Sequence, residues 1–591
     1  MSKKNLSKKM LMAATIAGAF LLSANAGNAD PTNVSTWDEL KTGLTSGSNM
    51  NMTGDITVTE SFGVSDKENT IIMGGNTLSG GEANTNGFSI FGGSLTLRDG
   101  GIISGFDRSG TANAGVLNIQ GAAFSLTGGD FTFDNNKSTR GVVQVWESAN
   151  PSSSTISSNV NSLIFNNNTS TMGGAIYHEQ RYSDSSVVSA LNGTSIAFTN
   201  NSATAGNGGA ILNVVGNLSV LGDTNTFSGN SRTAASVETK LYKRGGGAIA
   251  NASGESIDGT SATMIIGSST STNTFTNNTS DTNGGAIMNR AVDIDKSAAL
   301  TINGSSVFSG NTAEKNGGAI YNMRELLTFA ADEHTANVTI NGESTFTNNT
   351  AKGRGGAIYN SGNMSIANSS FTGNHTIGTG YYEETDAEYP AYIQAQGGAI
   401  YNSGRENVWT GGSDARFTYN GILNISNANF GIENDTTSGN SSLQGGAIAN
   451  TNANALAGEI TLTNVNFYNN NAYADTIDDG YNYSSLGGAI WNQGTMTVNG
   501  NTTFKGNTTT GYNPQGGAIY NSGTMTFNDA VTFDSNISER TIAGNGAQGG
   551  AINNEGTMTF KDAVTFTGNQ AVNTVGQTSG LTYLAKGGCY I

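Results

Sequence analysis

The sequence predicts an all-β chain wound as a right-handed parallel β-helix, with three strands per coil and a short helical cap at its N-terminal end. Three observations point there. The tetrapeptide Gly-Gly-Ala-Ile recurs eleven times, with its first Gly at 173, 208, 246, 284, 317, 355, 397, 445, 487, 516 and 549. A second signature, Phe-x-x-Asn, precedes most copies, from Phe165/Asn168 through Phe346/Asn349 to Phe566/Asn569, and slips once, where Phe430 is followed by Asn434. Self-similarity at such a period marks a solenoid, propeller or array. The third observation is composition: 82 of 591 residues are Gly and only 4 are Pro, with 12% charged residues, 24 Phe and 19 Tyr. Collagen would need Gly at every third position and abundant Pro. A disordered chain would lack the aromatics, and a helical repeat would be rich in Ala, Glu, Lys and Leu.

The signal segment comes first. Lys3, Lys4, Lys8 and Lys9 precede an apolar run from Met10 to Leu22, and Ala24-Asn25-Ala26 reads as a cleavage site, so residues 1–26 are expected to be a secretory signal. Residues 27–60 form the expected cap: Trp37-Asp38-Glu39-Leu40 through Leu44 as an amphipathic helix, then the alternating strand Asp55–Thr59. Residues 61–145 read as coils without the double glycine, and 146–591 as the repeat region proper. One short copy, residues 516–536, shows three alternating stretches separated by Ser-Gly and Asn-Asp punctuation, GGAIYN, SGTMTFN and DAVTFDSN. A propeller blade needs four antiparallel strands at regular length, whereas here the intervals vary by nearly twenty residues, which a solenoid tolerates at a corner.

Comparison among the copies assigns directions to the side chains. The Ile of each tetrapeptide, Ile176 among them, is expected to stack inside, and Phe346 and its equivalents to form a second interior column. The next position varies (Tyr177, Leu212, Ala250, Met288, Trp491, Asn553) and is therefore expected to face outward. The one after it is Asn in ten of eleven copies: Asn213, Asn251, Asn289, Asn322, Asn360, Asn402, Asn450, Asn492, Asn521 and Asn554, with His178 breaking the row. An inward Asn can donate and accept along the axis, so these residues read as structural.

Alternating Gly-Gly-Ala-Ile and Phe-x-x-Asn tetrapeptides behind a secretory signal resemble the chlamydial polymorphic outer membrane proteins, over roughly residues 130–591. The resemblance implies a surface-exposed autotransporter passenger acting as an adhesin, ending in a membrane β-barrel. No barrel pattern of ~10-residue alternating segments follows here. The sequence ends at Gly587-Gly588-Cys589-Tyr590-Ile591, so a continuation into further coils and a translocator is expected.

No catalytic, cofactor or metal signature is read. The histidines His178, His334 and His375 lack the context of polysaccharide-cleaving β-helices, and the Asp478-Asp479 pair falls in an insertion. Gly245-Gly246-Gly247 lacks the Lys-Ser/Thr of a phosphate loop. The formal charge of −17 argues against nucleic acid as a partner. The expected partner is a host or neighbouring-cell surface protein or glycan. A purely structural surface protein, or a polysaccharide lyase or hydrolase on the same scaffold, are the competing readings. Binding is expected at one corner, where the stretch before the double glycine swells in three successive repeats (371 to 397, 430 to 445, 467 to 487). Its candidate residues are Tyr381, Tyr382, Tyr389, Tyr392, Tyr473, Tyr481 and Tyr483.

Overall fold

One repeat sets the pattern for the rest. Strands Ile320–Glu325, Ala336–Ile340, Ser344–Thr347 and Thr350–Ala351 follow each other along the chain. Each pairs in parallel with its counterpart one turn on, Ile320 with Ile358, Val338 with Met364, Phe346 with Phe371 and Thr350 with His375. The structure, a computed structural model, describes residues 30–81, 86–147, 153–180, 188–233, 245–253, 261–292, 296–325, 335–377, 395–408, 416–453, 456–474, 483–542 and 546–575. Parallel ladders stack turn upon turn across them, three in the N-terminal turns and four from the strand Lys137–Arg140 on, the arrangement of a β-helix solenoid. The expected signal segment, the end of the chain from residue 576, His334 and Asp478-Asp479 lie outside the described residues.

A turn of the repeat region thus contributes to four ladders rather than three. The fourth forms a separate 13-stranded sheet. Many of its strands are only two residues long, such as Thr312–Ala313 and Ser280 with Thr279. Two residues carry no readable alternation, and in the short copy at 516–536 the fourth-ladder strand, Ile537–Arg540, begins just past the three stretches read there.

The lumen is apolar and continuous. Ile176, Ile211, Ile249, Ile287, Ile320, Ile358, Ile400, Ile448, Ile490, Ile519 and Ile552 are all fully buried. The second ladder adds pairs such as Leu300/Ile302 and Val338/Ile340. Thirteen Phe from Phe133 to Phe566 stack face to face, with centroids 4.6–5.1 Å apart and planes within 12°. The spacing of parallel strands, ~4.8 Å, imposes that stacking distance. Each fully buried side chain among them contributes about 1.5–3 kcal/mol, whereas Phe566, in the last described turn, is 40% exposed.

Over the N-terminal turns lies the helix Trp37–Ser46. Thr36 caps it: its hydroxyl accepts the Glu39 N–H while the Glu39 carboxylate accepts from the Ser35 and Thr36 backbone at 2.7 and 3.1 Å. Hydrogen bonds from Ser35 hold the Glu39 carboxyl below its usual range. Trp37, Leu40 and Leu44 are buried, and the Trp37 ring meets Phe62 and Phe88 edge-on at 5.8 Å. The helix covers apolar side chains that would otherwise face water at that end.

The two glycines of each repeat serve different needs. The first sits in the left-handed region, as at Gly355 with φ +66°. The second sits against the next turn: a Cβ on Gly356 would lie 2.0 Å from the Gly398 carbonyl oxygen. Gly356→Ala is therefore expected to destabilise the protein by about 1–3 kcal/mol through overpacking. Gly54→Ala, whose Cβ would meet nothing within 4 Å, should leave stability unchanged in the same urea titration.

Candidate functional site: two asparagine rows and the connections they anchor

Two columns of buried amides run along the solenoid, one at the end of each tetrapeptide strand and one at the Asn of Phe-x-x-Asn. In the first, the amide nitrogen of each Asn donates to the side-chain oxygen of its counterpart one turn on. The bonds run Asn213, Asn251, Asn289, Asn322, Asn360, Asn402, Asn450, Asn492, Asn521, Asn554 at 2.7–3.0 Å. The remaining hydrogen of each amide reaches the backbone where the chain enters the second ladder. Asn360 donates to the Gly362 carbonyl, Asn402 to Gly421, Asn450 to Gly458 and Asn322 to Ala336, at 2.9–3.2 Å. The connection between Asn and acceptor varies widely. Between Asn360 and the next ladder lie two residues, and between Asn402 and the strand Ile422–Phe430 lie nineteen. The side-chain amide thus pins the base of a connection whatever its length.

The second row escaped the sequence reading, which assigned only the Phe of that motif. Asn136, Asn168, Asn201, Asn230, Asn278, Asn311, Asn349, Asn374, Asn440, Asn470, Asn507, Asn536 and Asn569 are linked side chain to side chain at 2.9–3.0 Å. Asn349 shows the full set. Its amide donates to Asn374 Oδ1 and the Phe308 carbonyl, both at 2.9 Å, and its oxygen accepts from the Asn311 backbone at 3.1 Å and side chain at 2.9 Å. Every donor and acceptor orbital of the buried group is used. A signal for this row was present: the residue before the Asn is Asn or Gly in nearly every copy. That position is left-handed, with φ +54° at Asn348 and +61° at Gly373, and Asn and Gly adopt it most readily.

The slip at Phe430 resolves here. Asn440, not Asn434, takes the place in the row, and residues 431–439 bulge out between the third and fourth ladders. The middle insertion therefore leaves a different bend from the other two, correcting the expectation that all three share one corner. In exchange, the structure places a second insertion corner after the first Asn row. The antiparallel pair Arg405–Val408 and Arg416–Tyr419 lies in one such connection, and the Asn452–Ala453 with Leu456–Ala457 pair in the next.

The variable position after the Ile is not outward-exposed. Tyr177, Leu212, Ala250, Met288, Trp491 and Asn553 are at most 5% accessible, and the Tyr members stack, Tyr321 on Tyr359 at 4.8 Å and Tyr359 on Tyr401 at 5.1 Å. They do point away from the lumen, but the residues just before each double glycine roof them. Arg354 lies over the Tyr401 ring at 5.0 Å, and Gln396 donates to Gln444 at 2.9 Å along the same line. Size is tolerated there because the roof adjusts, not because the site is solvated. Burial, with the Glu555 carboxylate accepting the Tyr520 hydroxyl at 2.8 Å, pushes the Tyr520 phenol up.

Among the candidate binding tyrosines, Tyr381, Tyr382, Tyr389, Tyr392 and Tyr481 lie outside the described residues. Tyr473 ends the fourth-ladder strand Asn471–Tyr473, and half-buried Tyr483 packs on Ala395, Leu443 and Ala474. These two belong to the scaffold at the foot of the corner. Among the described residues no group of three or more His, Cys, Asp or Glu is placed to hold a metal ion.

A family model for the Chlamydia polymorphic membrane protein repeat matches residues 162–179, 195–214, 274–290, 305–323, 343–361, 368–403 and 501–522. The chain carries this repeat, and each matched stretch runs from a third-ladder Phe through the second-row Asn to the double-glycine strand. A search of curated proteins and one of solved structures each found no match.

Removing one link of a row should be costly. Asn349→Ala is expected to lose about 1–3 kcal/mol, because it orphans the Asn311 donors in the interior. Asn349→Asp should be worse, since its carboxylate would face the Phe308 carbonyl and the Asn374 oxygen with no hydrogen to give. Equal denaturation midpoints for the two variants would contradict the assigned donor direction.

Proposed function

We propose that this chain, which carries the polymorphic membrane protein repeat, is the exported, surface-exposed passenger of an autotransporter-type protein. In this reading it is a right-handed β-helix that acts as an adhesin and not as an enzyme. One observation carries the proposal: connections of very different length are hosted on both sides of one narrow strand face while both Asn rows continue unbroken beneath them. The tetrapeptide strand of a turn, such as Ile400–Ser403, is four residues wide, or about 13 Å. Insertions before it and after it therefore leave the scaffold within that distance, and neighbouring turns repeat the arrangement every ~4.8 Å.

A rigid scaffold with variable connections is the usual architecture of a recognition surface. The insertions at 378–394 and 475–482 carry Tyr381, Tyr382, Tyr389, Tyr392 and Tyr481 beside Glu383, Glu384, Asp478 and Asp479. Tyr presents a rigid face and a hydroxyl, which suits a host or neighbouring-cell protein or glycan. Secretion would be directed by residues 1–26, and attachment to the outer membrane would need a translocator.

The test is a cell-binding assay on the intact chain and on a variant with 378–394 and 475–482 each replaced by a three-residue connection like Glu314–Asn316. These cut points spare Thr376, Ala472 and Ala474, which are buried in the scaffold. Adhesion should fall several-fold with the circular dichroism unchanged. Undiminished adhesion would reject these two insertions as the binding surface.

A further inference from the structure

The first Asn row starts at a residue of another kind. In the two turns before it the same interior position is apolar, Ile119 and Val145, both fully buried and in register. In the ten turns after it the position is Asn. His178 stands at the junction, in register with Val145 on one side and Asn213 on the other, and is itself fully buried. Its Nδ1 lies 2.7 Å from Asn213 Oδ1 and its Nε2 lies 2.9 Å from Ser189 Oγ.

The polarity of the row fixes the tautomer. Asn213 spends its amide hydrogens on Asn251 and beyond, so its oxygen faces His178 and can only accept. Nδ1 therefore carries the hydrogen, and Nε2 accepts the Ser189 hydroxyl. Ser189 Oγ in turn accepts the Ile156 N–H at 3.2 Å and the Gln180 amide at 3.4 Å. A neutral ring satisfies this chain. An imidazolium has two donors, and the second would confront the Ser189 hydroxyl hydrogen, with apolar Val145 as the neighbour on the side of its row away from Asn213.

The charged and titratable groups nearby are Glu147 and Glu179, both buried, with the Tyr177 hydroxyl donating to Glu179 at 2.8 Å and Arg140 over the Tyr177 ring at 5.1 Å. Burial lowers the His178 pKa to about 4, against the opposing pull of the Asn213 hydrogen bond and the Glu147 charge.

We propose that His178 is an acid-labile joint between the N-terminal turns and the double-glycine turns. Neutral, it closes the start of the Asn row. Protonated, it keeps the bond to Asn213 but loses the Nε2 acceptor for the Ser189 hydroxyl, which loosens the strands Val143–Trp146 and Ile176–Glu179. The folded-state pKa lies below the unfolded value of ~6.5, so the opened chain takes up the proton first. The stabilisation is complete above about pH 6.5 and is lost as pH falls toward about 4, a change of roughly 300-fold in the local opening equilibrium.

Hydrogen-exchange protection factors of the full chain test this between pH 7 and pH 4.5. Peptides covering 143–147, 176–180 and 188–193 should lose protection on acidification, while those at 496–528 keep theirs. His178→Asn, the residue of the other ten copies, should abolish most of that loss. An equal loss in both proteins would place the acid sensitivity outside His178 and overturn the proposal. Where the variant fails to fold, the ring nitrogen shifts of the unaltered protein decide. A neutral Nδ1–H ring that does not titrate above pH 5 is expected, and an Nε2–H ring or titration near 6.5 would overturn it.

Discussion

The interaction on which the structure depends is the side-chain amide repeated once per turn. A parallel β-helix brings like residues into register about 4.8 Å apart, and most side chains gain little from meeting their own kind. Charges repel and β-branched chains merely pack. A carboxamide is different, because it is donor on one edge and acceptor on the other, and stacks on itself with every group satisfied. The second row shows this in full at Asn349. A lumen of Ile and Phe alone would supply burial and fix which face turns inward, whereas each amide adds a polar group that is satisfied only when its counterpart one turn on lies opposite it.

That constraint explains how the molecule hosts irregular connections. Each amide of the first row has one hydrogen for its neighbour and one for the backbone that begins the second ladder, so the chain is returned to register after two residues at Asn360 or nineteen at Asn402. The same device lets the third ladder recover after residues 431–439, because Asn440 re-enters the row. A scaffold whose register is reset once per turn can change its connections independently, and this is the physical support for reading them as the recognition surface.

Much of the fold was legible because it repeats. The amphipathic helix from Trp37 through Leu44, the Ile of each tetrapeptide and the stacked Phe carry their own local patterns. What escaped did so for identifiable reasons. In many turns the fourth-ladder strand is only two residues long, too short for alternation to register. The Tyr321–Tyr359–Tyr401 column points away from the lumen but is roofed by Arg354 and the Gln396–Gln444 line, and variability in side-chain size was read as exposure. Asn434 stood near the motif spacing, whereas the residue that completes the row, Asn440, lies across a bulge that only three-dimensional pairing reveals. The binding tyrosines were chosen by their place in long insertions, and the two that the structure describes, Tyr473 and Tyr483, turn out to support the corner's base.

The central claim is that turns distant in sequence are stacked in a fixed axial register, and a spin-label distance measures it. Thr276 and Asp534 follow the stacked Phe275 and Phe533 in the same ladder, seven turns apart. Labels at these two positions should give one narrow distribution centred near 34 Å, seven steps of ~4.8 Å. A broad distribution, or a centre displaced by more than two turns' worth of rise, would contradict the axial stack of Asn and Phe.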